Sequence, residues 1–301
     1  MVDSTSIIVA VLALAGAIAA AVLTGWTTFY SDERRRLSET EKLVAKYSGP
    51  LVLAANDLQS RLYSITETRD PLTWRDSNDR ERNNLYRYTC FLVGRYLSWT
   101  YIFRHQAQFL YMRGKKGNKL VETMDMIEFT FSVTMQSTGI PFCLWRGEQM
   151  AIGELMSYKE EGEQFCLGYS KFITYWDDDS RDIQLWFQSL MRDIDTLADA
   201  FCQSQNQHPW VPVPDQRLRQ LQHLLIELIS ILDPHKLQFD RTRNKRCAAA
   251  TTCPCSHCMS RADQMPTTPT PLPAHSNTTA HQQFALECKK CKHLNLKMQG
   301  P

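Results

Sequence analysis

The 301-residue sequence predicts an all-α fold: a single N-terminal transmembrane helix, a cytoplasmic helical bundle and a disordered C-terminal tail. Three observations carry the prediction. Ile7–Leu23 is a run of 17 residues without a polar side chain. Beyond it, apolar residues recur at steps of three and four almost as far as Leu232, the period of one helical face. From Phe239 onward that period gives way to a basic, Cys-rich stretch centred on Pro266–Pro273, a composition with little to pack. The expected boundaries are 1–30 for the anchor and its interfacial flank, 31–205 for the bundle, 206–216 for a Pro-rich linker, 217–233 for an amphipathic Leu-rich helix and 234–301 for the tail.

The anchor comes first. Ser6–Trp26 would be about 31 Å long as a helix, enough to cross a hydrocarbon layer of about 30 Å. Trp26, Phe29 and Tyr30 follow at interfacial depth, then Arg34, Arg35 and Arg36, whereas the leader holds Asp3 and no Lys or Arg. The positive-inside rule then puts the C-terminal bulk in the cytoplasm. The run is too long and its leader too acidic for a typical cleaved signal peptide.

Ser38-Glu-Thr-Glu41 reads as a capping box, and Gly49-Pro50 as an interruption before a new helix. In that helix Leu51, Ala55, Leu58, Leu62 and Ile65 form an apolar seam, with Asp57 and Arg61 spaced for an i,i+4 ion pair. Residues 81 to about 112 carry a broad aromatic stripe that includes Tyr88, Tyr96, Trp99 and Phe103. A further helix covers about Leu120–Met135, and another run covers Trp145–Met156. Asp177-Asp-Asp-Ser180 reads as the cap of a helix carrying Ile183, Phe187, Leu190 and Ile194. Leu218, Leu221, Leu225, Leu228 and Leu232 then follow a/d spacing, for docking on the bundle or for pairing with a second copy.

Gly49-Pro50-Leu51, the stretch Asp57-Leu-Gln-Ser-Arg-Leu-Tyr63 and the stretch Arg146-Gly-Glu-Gln-Met-Ala-Ile-Gly-Glu-Leu-Met156 together resemble a family of N-terminally membrane-anchored helical proteins. The likeness covers roughly residues 40–204 and leaves out the tail. It implies the anchored helical architecture and brings no activity, cofactor or partner.

Composition narrows function mainly by exclusion. The hydrophobic fraction of 43% argues against a polytopic membrane protein. No Gly-rich nucleotide fingerprint, P-loop or G-x-S-x-G elbow occurs. No catalytic triad can be assembled, and no Glu-x-x-His supports a di-metal bundle. Residues 241–301 carry nine Lys and Arg against two acidic residues, on a body that is net acidic. A polybasic segment so tethered faces lipid rather than nucleic acid.

Two candidate sites remain. Asp57, Arg61, Arg146, Glu148, Gln149 and Glu154 could line a ligand pocket between helices, with Arg61 or Arg146 as the anion clamp, or form an ion network that sets helix register. Gly147 and Gly153 would permit the close approach this needs. In the tail, Cys255-x-x-Cys258 and Cys288-x-x-Cys291 have metal-ligand spacing, with Cys253, His257 and His293 to spare, so four thiolates could hold zinc. Alternatively Cys247, beside Arg243, Lys245 and Arg246, is a palmitoylation site on a lipid-binding patch. Cys90, Cys143, Cys166 and Cys202 read as small buried hydrophobes. The expectation that follows is a non-enzymatic interaction or scaffold module whose partners are the bilayer and a protein, or a second copy held through the anchor or the Leu218–Leu232 helix. A ligand pocket on Arg61, Arg146 and Glu148, or a zinc-binding tail, is the alternative.

Overall fold

The computed structural model describes residues 4–107, 115–133, 141–178, 182–206, 213–235, 245–249 and 253–262. Helix α1 (Ser4–Tyr63) is a single helix of 60 residues. Its segment Leu12–Arg35 is exposed along its length, and is long and apolar enough to cross a membrane. Within it the hydroxyls of Thr24 and Thr28 donate to the carbonyls of Ala20 and Thr24, both at 2.8 Å. Such back-bonding is how a span tolerates hydroxyl side chains.

Neither Ser38 nor Pro50 begins a helix, contrary to expectation; α1 runs through both. Pro50 forfeits the amide that would bond the Lys46 carbonyl. Yet Tyr47 and Leu51, on either side, are buried in the bundle, and that packing carries the helix across the break. The predicted seam of Leu51, Ala55, Leu58, Leu62 and Ile65 is buried as expected. It packs against α4 (Thr89–Ala107) and α9 (Gln216–Leu232).

A π-turn over Ser64–Thr68 ends α1 at Arg69, whose left-handed backbone (φ 61°) lets its amide donate to the Ser64 carbonyl at 2.7 Å. The short α2 (Asp70–Thr73) and α3 (Asp79–Asn83) follow, the latter capped by Asn78, whose side chain accepts from the Glu81 amide at 3.0 Å. A second π-turn, Asn84–Tyr88, leads into α4. Helices α5 (Lys115–Ser132) and α6 (Arg146–Leu155) pack against α9 and α4 respectively.

Among the described residues the helical pattern is interrupted by one hairpin, which was not anticipated. Ser157–Glu160 (β1) and Glu163–Cys166 (β2) pair antiparallel, with Ser157 opposite Cys166 and Glu160 opposite Glu163. Glu161 (φ 50°) and Gly162 (φ 84°) both have positive φ, the combination a two-residue hairpin turn requires. Helix α7 (Tyr169–Trp176) then ends at Asp177, which caps its C-terminus and pairs with Arg87 at 3.0 Å. Asp177 therefore closes α7 rather than opening α8 (Ile183–Asn206), while Asp179 and Ser180 of the expected cap lie outside the described residues.

Tyr96, Phe131, Phe142, Phe172 and Phe187 are among the largest fully buried side chains. Phe91, Phe172, Phe187 and Trp176 form a chain of ring contacts at 5.3–6.0 Å. Helix α9 lies within the bundle: Leu218, Leu221, Leu225 and Leu228 are all buried, against α1 and α5. Its leucine face is thus spent on docking and is not open to a second copy. A last short helix, α10 (Ser256–Ala262), follows the strap of residues 245–249 described below.

Candidate metal centre

Helix α9 is buried nearly all round, and it places a polar pair, Gln222 and His223, inside the protein. Gln222 Nε2 donates to Gln59 Oε1 on α1 at 3.0 Å and to the Lys245 carbonyl at 2.8 Å, while the Cys247 amide donates to Gln222 Oε1 at 3.3 Å. Residues 245–249 are thereby laid as a strap across α9 and the end of α1. Further fastenings are the Ala248 amide on Glu67 Oε1 (3.0 Å) and the Thr66 hydroxyl on Cys247 Sγ (2.9 Å). Farther along, Glu227 holds the first turn of α10, accepting from the Ser256 amide at 3.1 Å and the Ser256 hydroxyl at 2.7 Å.

Between these two fastenings lie His223, Cys253, Cys255 and Cys258, whose ligand atoms all fall within 4.8 Å of one another. His223 Nδ1 is 3.4 Å from Cys253 Sγ, 3.7 Å from Cys255 Sγ and 3.3 Å from Cys258 Sγ. Zn–S bonds of about 2.3 Å and a Zn–N bond of about 2.0–2.1 Å at tetrahedral angles put nitrogen and sulfur about 3.6 Å apart. The three nitrogen–sulfur distances therefore match one tetrahedral coordination shell, and the four ligand atoms lie within 4.8 Å of one another.

The second ring nitrogen settles the imidazole's role. His223 Nε2 is 2.9 Å from the Cys247 carbonyl oxygen, which can only accept, so Nε2 carries the proton. In the neutral ring Nδ1 is then the bare lone pair, and it faces the three sulfurs. A ligating histidine characteristically donates its other N–H to a carbonyl or carboxylate in this way.

The thiols are mutually perturbed. Cys255 is held well below the ordinary thiol range, chiefly by the hydrogen bond from Cys253, against its own burial and with help from the Cys258 amide. That amide lies 3.4 Å from Cys255 Sγ. Cys253 is pushed far above the ordinary range by donating to Cys255 and by burial. Cys258 is raised, first by burial and then by Cys255. A proton shared between sulfurs this close is one a divalent metal would displace.

The sequence singled out Cys253, Cys255 and Cys258 but expected Cys288 and Cys291 to complete the shell. Those two residues, with His293, lie outside the described residues, and the fourth ligand beside the three described cysteines is His223. Cys247 is not a surface modification site: it is 4% exposed, with its sulfur on Thr66. Of its basic neighbours, Arg241 and Arg243 also lie outside the described residues.

The other predicted site does not assemble. Asp57 pairs with Arg95 at 2.7 Å, not with Arg61. Arg61 is buried, donating to Thr89 Oγ1 (2.9 Å) and the Asn84 carbonyl (2.8 Å), with its guanidinium over Trp74 and Tyr88. Burial pushes it down to about 10. Arg146 is exposed and pairs with Glu128 at 3.2 Å. Glu148 accepts from the Trp145 amide at 2.7 Å, capping α6. Gln149 is buried, donating to the carbonyls of Leu144 and Glu128, and Glu154 is exposed. Arg146 and Gln149 line a cleft of about 240 Å³ with Tyr96, Leu97 and Glu128, but Arg61 and Glu148 do not reach it. Gly153 alone serves close approach: a Cβ there would lie 2.9 Å from Tyr101 Cβ and 3.0 Å from the Leu97 carbonyl oxygen, whereas Gly147 faces open space.

No protein-family model, curated protein or solved structure matches this chain. The reading of its function therefore rests on its own residues. The expected interaction or scaffold module without a metal is corrected by the cluster of one histidine and three cysteines, which supports the zinc-binding alternative. Its physical reason is the docking of the first part of the tail: held against α9, Cys253, Cys255 and Cys258 meet a buried histidine.

Proposed function

We propose that this is a membrane-anchored protein whose helical bundle carries a single structural zinc ion on His223, Cys253, Cys255 and Cys258, and that the metal clips the segment after α9 back onto the bundle. One observation carries the reading: an imidazole lone pair fixed by its partner hydrogen bond and aimed at three sulfurs 3.3–3.7 Å away. Three sulfurs and one nitrogen in a tetrahedral arrangement favour zinc among the common divalent ions. Four atoms around one point fit one ion, whereas a two-iron cluster divides its ligands between two metals. Four protein ligands also leave no open position for a substrate, which favours a structural over a catalytic role.

The arginines after the apolar segment favour a cytoplasmic bundle, where thiols stay reduced and available to metal. The bilayer is then the protein's first partner. From Trp26 to Gln59 the helix rises about 50 Å, so the metal centre stands well clear of the surface in which the anchor sits.

Metal analysis of the full chain, purified in detergent, tests the proposal. We expect one zinc per chain, lost in Cys255→Ser and retained when Cys288 and Cys291 are both replaced by Ser. A metal-free protein, or zinc that follows the Cys288 pair, overturns it.

A further inference from the structure

Away from the metal centre, α6, the hairpin, α7 and α8 surround an open cavity of about 530 Å³. Tyr158 of β1, Tyr175 of α7 and Trp186 of α8 line it with aromatic rings, alongside Leu155, Leu167 and Glu154. We propose that this cavity is an aromatic cage for a trimethylammonium group carried by a small solute. The proposal is independent of the zinc reading.

The protein's own Lys171 points to a cation. This exposed residue of α7 holds its Nζ 4.3 Å from the Tyr158 ring centroid and 6.0 Å from that of Tyr175. Among the described residues it has no carboxylate partner, so the ring faces are what hold it. A cation within about 6 Å of a ring centroid is drawn to the negative face, most strongly over Trp. Two rings from separate elements thus turn their faces to one charge, and Trp186 supplies a third wall. Glu154 is exposed and makes no ion pair among the described residues, so its carboxylate adds attraction for a cation.

The walls also select the kind of cation. A primary ammonium is compact, strongly hydrated and keeps three N–H donors to satisfy. The Ser157 hydroxyl, also on the cavity wall, is already spent on the Glu154 carbonyl at 2.8 Å. A trimethylammonium has no donors, gives up water more readily, and buries its methyls against Leu155, Leu167 and the rings. It should therefore displace Lys171. The cavity falls within the size range of sites that enclose whole small molecules, so it has room for the rest of such a solute. Headgroups of the anchor's own bilayer are out of reach. Glu163, beside the hairpin turn, pairs with Lys46 of α1, and Lys46 lies about 30 Å along the helix from Trp26.

The experiment uses the full chain, labelled with fluorotryptophan and held in phosphatidylglycerol nanodiscs. It follows the fluorine resonance of Trp186, assigned by its loss in Trp186→Phe, during titration with choline chloride or with dimethylbutanol, the uncharged tert-butyl isostere of choline. We expect a saturable shift with choline, and binding of the isostere weaker by about fivefold or more. Lys171→Gln should tighten choline binding by about threefold, because the resident competitor is gone, and Tyr158→Leu should weaken it by about fivefold. The absence of a shift overturns the proposal. So does equal binding of the isostere, which would mark a merely apolar crevice, and so does Lys171→Gln that binds choline no more tightly than wild type. Two further arms test the source of the group. A peptide carrying trimethyl-lysine that binds more than about tenfold tighter than choline would assign the cage to a protein partner. Choline binding that weakens in phosphatidylcholine nanodiscs would assign it to lipid headgroups. Either result overturns the small-solute assignment.

Discussion

Helix α9 is gripped from two sides by opposite means. Toward α1 and α5 it presents Leu218, Leu221, Leu225 and Leu228, all fully buried, in a contact that needs nothing but exclusion of water. Toward the strap it presents Gln222, His223 and Glu227, and what they hold is a short run of backbone with almost no apolar surface of its own. Hydrogen bonds of that kind contribute about 1 kcal/mol each after solvent exchange, so the strap depends on whatever links its sulfurs. The comparison teaches that the bundle folds by burial and the segment after it by coordination. The two should therefore separate under the right perturbations.

The largest effect belongs to the leucine face. Replacing Leu225, fully buried, by Ala should cost about 3 kcal/mol through lost transfer energy and the cavity left behind. Denaturant unfolding should show the same loss with zinc and with chelator. A loss that vanished on chelation would mean that the metal organises the bundle as well, and the contrast between the two sides would collapse.

Next in size is Gly153. An Ala there meets Tyr101 and the Leu97 backbone at 2.9–3.0 Å, and overpacking of this kind costs about 1–3 kcal/mol. Gly147→Ala, in open space on the same helix, should instead stabilise by up to about 1 kcal/mol through helix propensity. Melting temperatures that moved in opposite directions would confirm that α6 is seated through one glycine only.

These pairs also show what the sequence made legible. The seam from Leu51 to Ile65 and the leucine row of α9 were readable because burial on one face repeats with the helical period. The anchor was readable because an apolar run has one dominant explanation. Pro50 misled because its local cost is fixed while the packing of Tyr47 and Leu51 that outweighs it is tertiary. The hairpin went unread although Glu161-Gly162 offered the turn signal. Asp57 and Arg61 have ion-pair spacing, but spacing cannot see Arg95, which arrives from another helix. For the metal centre, three of four ligands were visible in Cys253-Pro-Cys-Ser-His-Cys258. His223 was hidden, thirty residues before Cys253 in a leucine-rich helix. The one available signal was a histidine beside a glutamine inside an a/d row, where polar residues need a reason to be.

Zinc removal should have a smaller effect on the bundle and a complete effect on the strap. With Cys255→Ser, or with chelator on wild type, we expect limited proteolysis to cut between residues 245 and 262 while the bundle's melting temperature moves by less than the Leu225→Ala shift. If the strap stayed protected without metal, its polar contacts alone would suffice, and coordination would be decoration rather than cause.

The smallest effect concerns Glu67, which joins the two regimes by holding the Ala248 amide at 3.0 Å and pairing with Arg219. Its burial works against ionisation, but the Ala248 amide and Arg219 outweigh it and hold the carboxyl below its ordinary value of 4.5. A depressed carboxyl stabilises fully above its unfolded value and loses that contribution as pH falls through the lower, folded one. The strap end should therefore loosen below about pH 4.5. Thiolates also release zinc in acid, so the acid response of wild type alone is ambiguous. Glu67→Gln removes the charge at every pH and leaves the sulfurs untouched. At neutral pH, with zinc bound, hydrogen exchange at Ala248 should quicken in this variant while exchange across Cys255–Met259 stays at the wild-type rate. Faster exchange at both places would show that the strap and the metal centre open as one unit, rather than as a polar latch beside a coordinated clip.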